Sequence, residues 1–151
     1  HSLDRRQRQM CIRDSCADKV TYLLKAGQLA SAMGRTTTAR SYARQVLDVD
    51  AESADAYMLI GDAIAGASKA CDDGALGGRS VFWVASDYYA RARRMSEELS
   101  EKADKKMSNM AKQFPTVDDI FTYGKQTGES FTVPTKPGCP CSGETTTIRV
   151  R

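Results

Sequence analysis

Three pairs of residues recur at a spacing of 34: Leu23 and Tyr57, Gly27 and Gly61, Ala30 and Ile64. In each copy a bulky residue precedes the glycine by four positions and an apolar one follows it by three. All three therefore share one face of a helix. A small residue on such a face lets two helices approach closely, and a 34-residue period is that of a helix–turn–helix unit that must stack to bury its apolar side. The second helix of the unit recurs with a delay. Ala39, Ala43 and Val46 correspond to Ala85, Tyr89 and Ala92 at a separation of 46, which is 34 plus an insertion of 12. The insertion falls around 71–78, in the turn, which predicts a surface loop.

The flanking residues sharpen this pattern. From Ala17 onward, Val20, Leu23, Leu24, Gly27, Leu29, Ala30 and Met33 predict one helix, stopped at Gly34. Thr36 or Thr37 can cap a second helix through Ala39, Tyr42, Ala43, Val46 and Leu47; Asp50 and Ser53 offer caps for a third. Ser96 to Gln113 reads as a polar helix with Leu99, Ala103, Met107 and Met110 on one stripe, suited to covering the end of a stack. Phe114-Pro115 breaks it, and Thr116 with Asp119 forms a capping box for a short helix through Ile120, Phe121 and Tyr123. Ser130–Val133 and Thr145–Val150 alternate around a Pro/Gly loop, predicting a small hairpin. Phe131, Val133, Ile148 and Val150 should pack it onto the last helix, because an isolated hairpin is marginal.

The first fifteen residues read differently. They lack periodicity, and the run from Gln9 to Ser15 resembles a translated sequencing-adapter remnant of the kind found in metagenome-derived sequences. Residues 1–15 are expected to be a non-native or disordered tail, 16–113 the helical repeats with their capping helix, and 114–151 the short helix and hairpin. The chain of 151 residues carries 22 Lys+Arg against 19 Asp+Glu. Arg5, Arg6, Arg8 and Arg13 lie in the first fifteen with Asp4 and Asp14, which leaves 18 against 17. So near-neutral a surface argues against nucleic acid as a partner. No apolar run is long enough for a membrane helix.

Leu23, Gly27, Gly34, Ala39 and Ala43 in one copy, and Tyr57, Gly61, Ala85, Tyr89 and Ala92 in the next, resemble the tetratricopeptide repeat. The resemblance covers roughly residues 18 to 95. It departs from the motif at Ala51, where a proline usually ends the second helix, and in the first copy, which lacks the aromatic residue of that helix. The run from Phe114-Pro115 to Thr145-Thr146-Thr147-Ile148-Arg149 resembles the closing region of bacterial cell-envelope proteins of this type. The fold so implied is all-α, a helix–turn–helix solenoid of two repeats plus a capping helix, with a small C-terminal β-hairpin. It also implies the end of a longer, exported chain in the cell envelope or periplasm. The implied function is a non-catalytic protein–protein interaction module or scaffold that holds a peptide or partner helix in a groove lined by first helices. Matching positions include Leu24, Gln28, Asp55, Met58 and Asp62. They carry no Lys, Arg or Asn, so a carboxylate clamp is not expected and an apolar or basic ligand is favoured. A purely structural end-cap of a repeat array is the nearest alternative.

The residues offer little chemistry beyond that. The only His is at position 1, so no Ser–His–Asp or Cys–His arrangement can form outside the suspect tail. No phosphate-binding glycine motif follows a strand. An enzyme is not expected, nor a cofactor. Arg91, Arg93, Arg94, Lys102, Lys105 and Lys106 interleave with Glu97, Glu98, Glu101 and Asp104, which predicts a self-compensated surface. Trp83 and Phe82 read as core residues, with an exposed peptide anchor as the other possibility. Cys139-Pro140-Cys141 in a turn can bind a soft metal or cycle as a redox pair, with Cys71 the plausible third thiolate. The preferred reading is structural: loop cysteines, free or with Cys71 joined to Cys139 or Cys141, and no metal site.

Overall fold

A computed structural model describes residues 14–151, with side chains from Ala17 onward. The basic tail through Arg13 lies outside the described residues. Six helices and one two-stranded antiparallel sheet make up the described chain. The helices are α1 (Asp14–Ala32), α2 (Thr36–Val49), α3 (Ala54–Ala65), α4 (Gly77–Met95), α5 (Ser100–Ala111) and α6 (Val117–Thr122). The strands are β1 (Ser130–Thr132) and β2 (Thr145–Thr147), paired with Phe131 opposite Thr146.

The helix boundaries follow from local chemistry. α1 begins at Asp14, earlier than the periodicity from Ala17 predicts, so the expected boundary at residue 15 falls inside the helix. The helix ends at Ala32 and the chain turns at Gly34, whose φ of +77° favours a residue without a Cβ, and Arg35 N–H returns to the Ala30 carbonyl at 2.8 Å. Neither Thr36 nor Thr37 caps α2, because both lie inside its first turn; Arg35 holds the cap position without a side-chain bond. Ser53 does cap α3, its Oγ accepting from Ala56 N–H at 3.2 Å. The α5 helix is shorter than the predicted 96–113, since Ser96 is extended and residues 96–99 form a turn. The capping box of α6 forms as expected, and the Thr116 backbone and hydroxyl hold the Asp119 carboxyl below its usual range.

Consecutive helices α1 to α5 pack on one another, and α1 also reaches α3. Close approach depends on two glycines: a Cβ on Gly27 would stand 2.4 Å from Leu59 Cδ2, and one on Gly61 would stand 2.5 Å from the Tyr89 ring. The main core gathers Leu23, Val46, Leu59, Ile60, Ile64, Val81, Val84 and Tyr89. A second core holds Leu76, Trp83, Phe114, Ile120 and Ile148, with Phe131 and Val150 against it.

The hairpin therefore packs on Trp83 of α4 as well as on α6. Phe131 meets Trp83 edge-on at 5.5 Å, while Val133 turns into the main core. Trp83 Nε1 donates to the Arg149 carbonyl at 2.9 Å, and Arg149 donates to the Trp83 carbonyl and the Asp87 carboxylate, each at 2.8 Å. The inserted stretch is not a simple surface loop. Residues 72–75 are exposed, but Cys71, Leu76, Gly77 and Gly78 are buried, and α4 already starts at Gly77.

Candidate functional site

The five positions expected to line a groove fall into different environments. Gln28 and Asp55 are exposed and Leu24 is half-buried against the core. Met58 is 6% exposed and belongs to the main core. The reason is packing: Met58 precedes Leu59 and Ile60, and α3 is covered over most of its circumference. Asp62 is engaged within the chain. Its Oδ1 accepts from both the Tyr89 hydroxyl and the Lys106 ammonium, each at 2.7 Å, so its charge is paired within the chain at a half-buried position. Burial, with the Asp62 charge beside it, pushes the Tyr89 phenol well up. This pair also removes Lys106 from the predicted self-compensated surface, which retains the exposed Arg93–Asp104 pair at 3.2 Å.

Asp55 has company instead. It lines a cleft of about 290 Å³ between the α2–α3 and α4–α5 turns, with Asp50, Glu52 and Glu98 as further carboxylates and Met95 and Leu99 as apolar wall. Met95 and Asp55 are exposed there, and Leu99 is half-buried. Like-charged carboxylates beside the Met95 and Leu99 side chains favour a cationic, partly apolar occupant.

The three cysteines singled out in the sequence come together. Cys71 and Cys139 are joined as a disulfide across 68 positions of chain, and Cys141 carries a buried free thiol. Cys141 Sγ stands 3.8 Å from Cys71 Sγ and 3.9 Å from Cys139 Sγ. Cys71 arrives from the insertion after α3, the other two from the turn between β1 and β2. Gly77 permits the approach of the first loop, since a Cβ there would stand 2.4 Å from the Cys71 carbonyl oxygen. Burial pushes the Cys141 thiol up to about 12; the Glu144 charge adds to the rise and Arg40 opposes it.

Arg40 is the group that sequence reasoning missed. It is 8% exposed on α2, its guanidinium donating to Glu144 at 2.7 Å, to the Pro140 carbonyl and to the Tyr88 hydroxyl at 3.3 Å. Its Nε finds no partner among the described residues. Tyr88 donates to the other Glu144 oxygen at 2.5 Å. Burial first, then that bond and the Glu144 charge, push the Tyr88 phenol up to about 12. A signal was present: an arginine next to Ala39, flanking the Ala39–Ala43 stripe, needs an acceptor or a route to water. Beside Arg40 a cleft of about 340 Å³ opens, lined by Thr37, Ser41, Arg44, Cys139 and Pro140 as well.

No family model, curated protein or solved structure matches this chain. No helix among the described residues is long and apolar enough to cross a membrane.

Proposed function

We propose that the chain is a non-catalytic protein–protein interaction module, built as a tetratricopeptide-like stack of two helix pairs with α5 as the capping helix. The observation that carries this reading is the pair of glycine crossings 34 residues apart, Gly27 beneath Leu59 and Gly61 beneath Tyr89. These are the positions at which the repeat resemblance requires a small residue. The C-terminal segment is tied to α2 through Arg40 and to α4 through Trp83, Asp87 and Tyr88. Thr21, Gln28 and Asp55 on the first helices α1 and α3 stay exposed. The partner is a basic peptide or helix with apolar side chains, met at the Asp55 cleft, where helices already ordered in the free protein reduce the entropy cost of binding. A disulfide between Cys71 and Cys139 fits an exported, cell-envelope setting.

Selection from a displayed random peptide library tests it. Enriched peptides should combine Lys or Arg with apolar residues and should bind Asp55→Lys at least about ten-fold more weakly, a change of about 1.4 kcal/mol. Binding unchanged in Asp55→Lys, or no enrichment, overturns the reading.

A second reading, the end-cap of a longer repeat array, draws support from α1. Tyr22 and Leu29 on that helix and Met33 in the turn after it are 67%, 63% and 58% exposed. Under this reading the stripe docks on a preceding helix. Self-association that disappears in Tyr22→Ser/Leu29→Ser, together with failure of the peptide selection, would favour it.

A further inference from the structure

We infer that the reduced protein binds one Cu(I) ion through the three thiolates of Cys71, Cys139 and Cys141. Three sulfurs around a metal at about 2.3 Å lie about 4.0 Å apart in a trigonal plane. Two of the three separations already have nearly that length, 3.8 Å and 3.9 Å, with the third edge closed by the disulfide. Cys141 Sγ is thus almost equidistant from the two bonded sulfurs. It stands beside the disulfide rather than beyond either end, where a thiolate displacing one sulfur from the other would have to approach. The three sulfurs lie within 4.8 Å of one another and are all buried.

The donor set selects the metal. Soft thiolates favour Cu(I) and zinc among common ions, but structural zinc takes four ligands. The nearby carboxylate, Glu144, already accepts from Arg40 and Tyr88, and no histidine is present among the described residues. Val133 and Ala67 belong to the same apolar cluster as the sulfurs, an environment that excludes water. The Arg40 guanidinium, bonded to the Pro140 carbonyl between two of the ligands, places positive charge beside an anionic thiolate group. The cleft that Arg40, Arg44 and Cys139 line is a route by which reductant and metal reach the sulfurs.

Loading requires a dithiol reductant. The dithiol passes two electrons and two protons to the Cys71–Cys139 bond, becomes a disulfide itself, and leaves two thiols. Cu(I) then binds three thiolates, and their three protons pass to solvent.

The test uses the full chain with Cys11→Ser and Cys16→Ser, so that only the clustered sulfurs are counted. The protein is reduced and freed of reductant without oxygen, then titrated against Cu(I) held by a coloured chelator. The reduced protein should withdraw one equivalent, X-ray absorption should report three sulfur neighbours, and Cys141→Ala should bind at least 100-fold more weakly. The oxidised protein should withdraw none. Copper left with the chelator, equal binding by Cys141→Ala, or two sulfur neighbours overturns the inference. Preference for Zn(II) in a parallel indicator titration overturns the choice of metal. Should reduction loosen the fold, recovery of native Trp83 fluorescence at one equivalent of Cu(I) supports the site, and no recovery overturns it.

Discussion

Arg40 on α2 and Glu144 in the C-terminal segment are joined at 2.7 Å across 104 positions of chain. The bond fixes the cysteine-bearing turn to the helical stack, because the same guanidinium also holds the Pro140 carbonyl. Removing one partner strands a partly buried charge and a carbonyl. Arg40→Ala should therefore cost about 3 kcal/mol, the lower end for a broken buried pair because Glu144 keeps some access to water. Arg40→Met/Glu144→Gln should lose less than the sum of the two single changes. Chemical denaturation of all four proteins measures the coupling, and simple additivity would show the pair to be unimportant.

Gly61→Ala should destabilise the chain by about 1–3 kcal/mol, although alanine is the better helix former. The added methyl group meets the Tyr89 ring, which is rigid, buried and held by Asp62. Gly61→Ala/Tyr89→Leu should recover part of the loss. A stable Gly61→Ala protein with unchanged denaturation midpoint would mean that α3 and α4 have more room than the structure gives them.

Reduction of the Cys71–Cys139 bond removes a cross-link over 68 positions, worth about 4 kcal/mol on the chain-entropy account. In the absence of metal, the thermal midpoint should fall on adding a dithiol and should return on reoxidation. Cys71→Ala should melt near the reduced protein, whereas a midpoint indifferent to dithiol would exclude a stabilising disulfide.

Base titration should find Tyr88 and Tyr89 ionising late among the six tyrosines. Tyr88 rises from the ordinary 10 to about 12 because burial and Glu144 disfavour the phenolate. Its folded-state value lies above the unfolded one, so the stability it contributes is complete below pH 10 and is lost as pH climbs through about 12. Stability should accordingly fall between pH 10 and 12, and Tyr88→Phe should flatten that slope. An unchanged slope in the variant would assign the loss to other groups.

Ile148→Ala should cost about 3 kcal/mol, since Ile148 is fully buried with Trp83, Phe114 and Ile120. Trp83 is the single tryptophan, so its emission should shift to the red in the variant as its surroundings loosen. Loss of stability without that shift would detach the hairpin from α4.

The cysteines and the expected groove show where sequence reading stops. Helical periodicity located the helices, and the 34-residue spacing marked the two glycines that allow close crossings, because each is a local property of side-chain spacing. It could not tell Met58, which is buried, from Asp55, which is exposed: both sit on the same helix, and only its neighbours decide which arc meets solvent. Asp62 looked free for the same reason, since Lys106 lies 44 positions away and reaches it only after α5 has docked.

By itself, then, the sequence determined the mainly helical character, the capping box at Thr116 and the turn at Gly34, all set by interactions within a few residues, and it marked the short terminal hairpin by alternation across a Pro/Gly loop. The tertiary structure alone decided that three sulfurs from two distant loops converge, that Arg40 is buried against Glu144, and that the hairpin rests on Trp83. Those contacts join segments 66 to 104 residues apart, and their formation depends on how the helices pack rather than on any local preference.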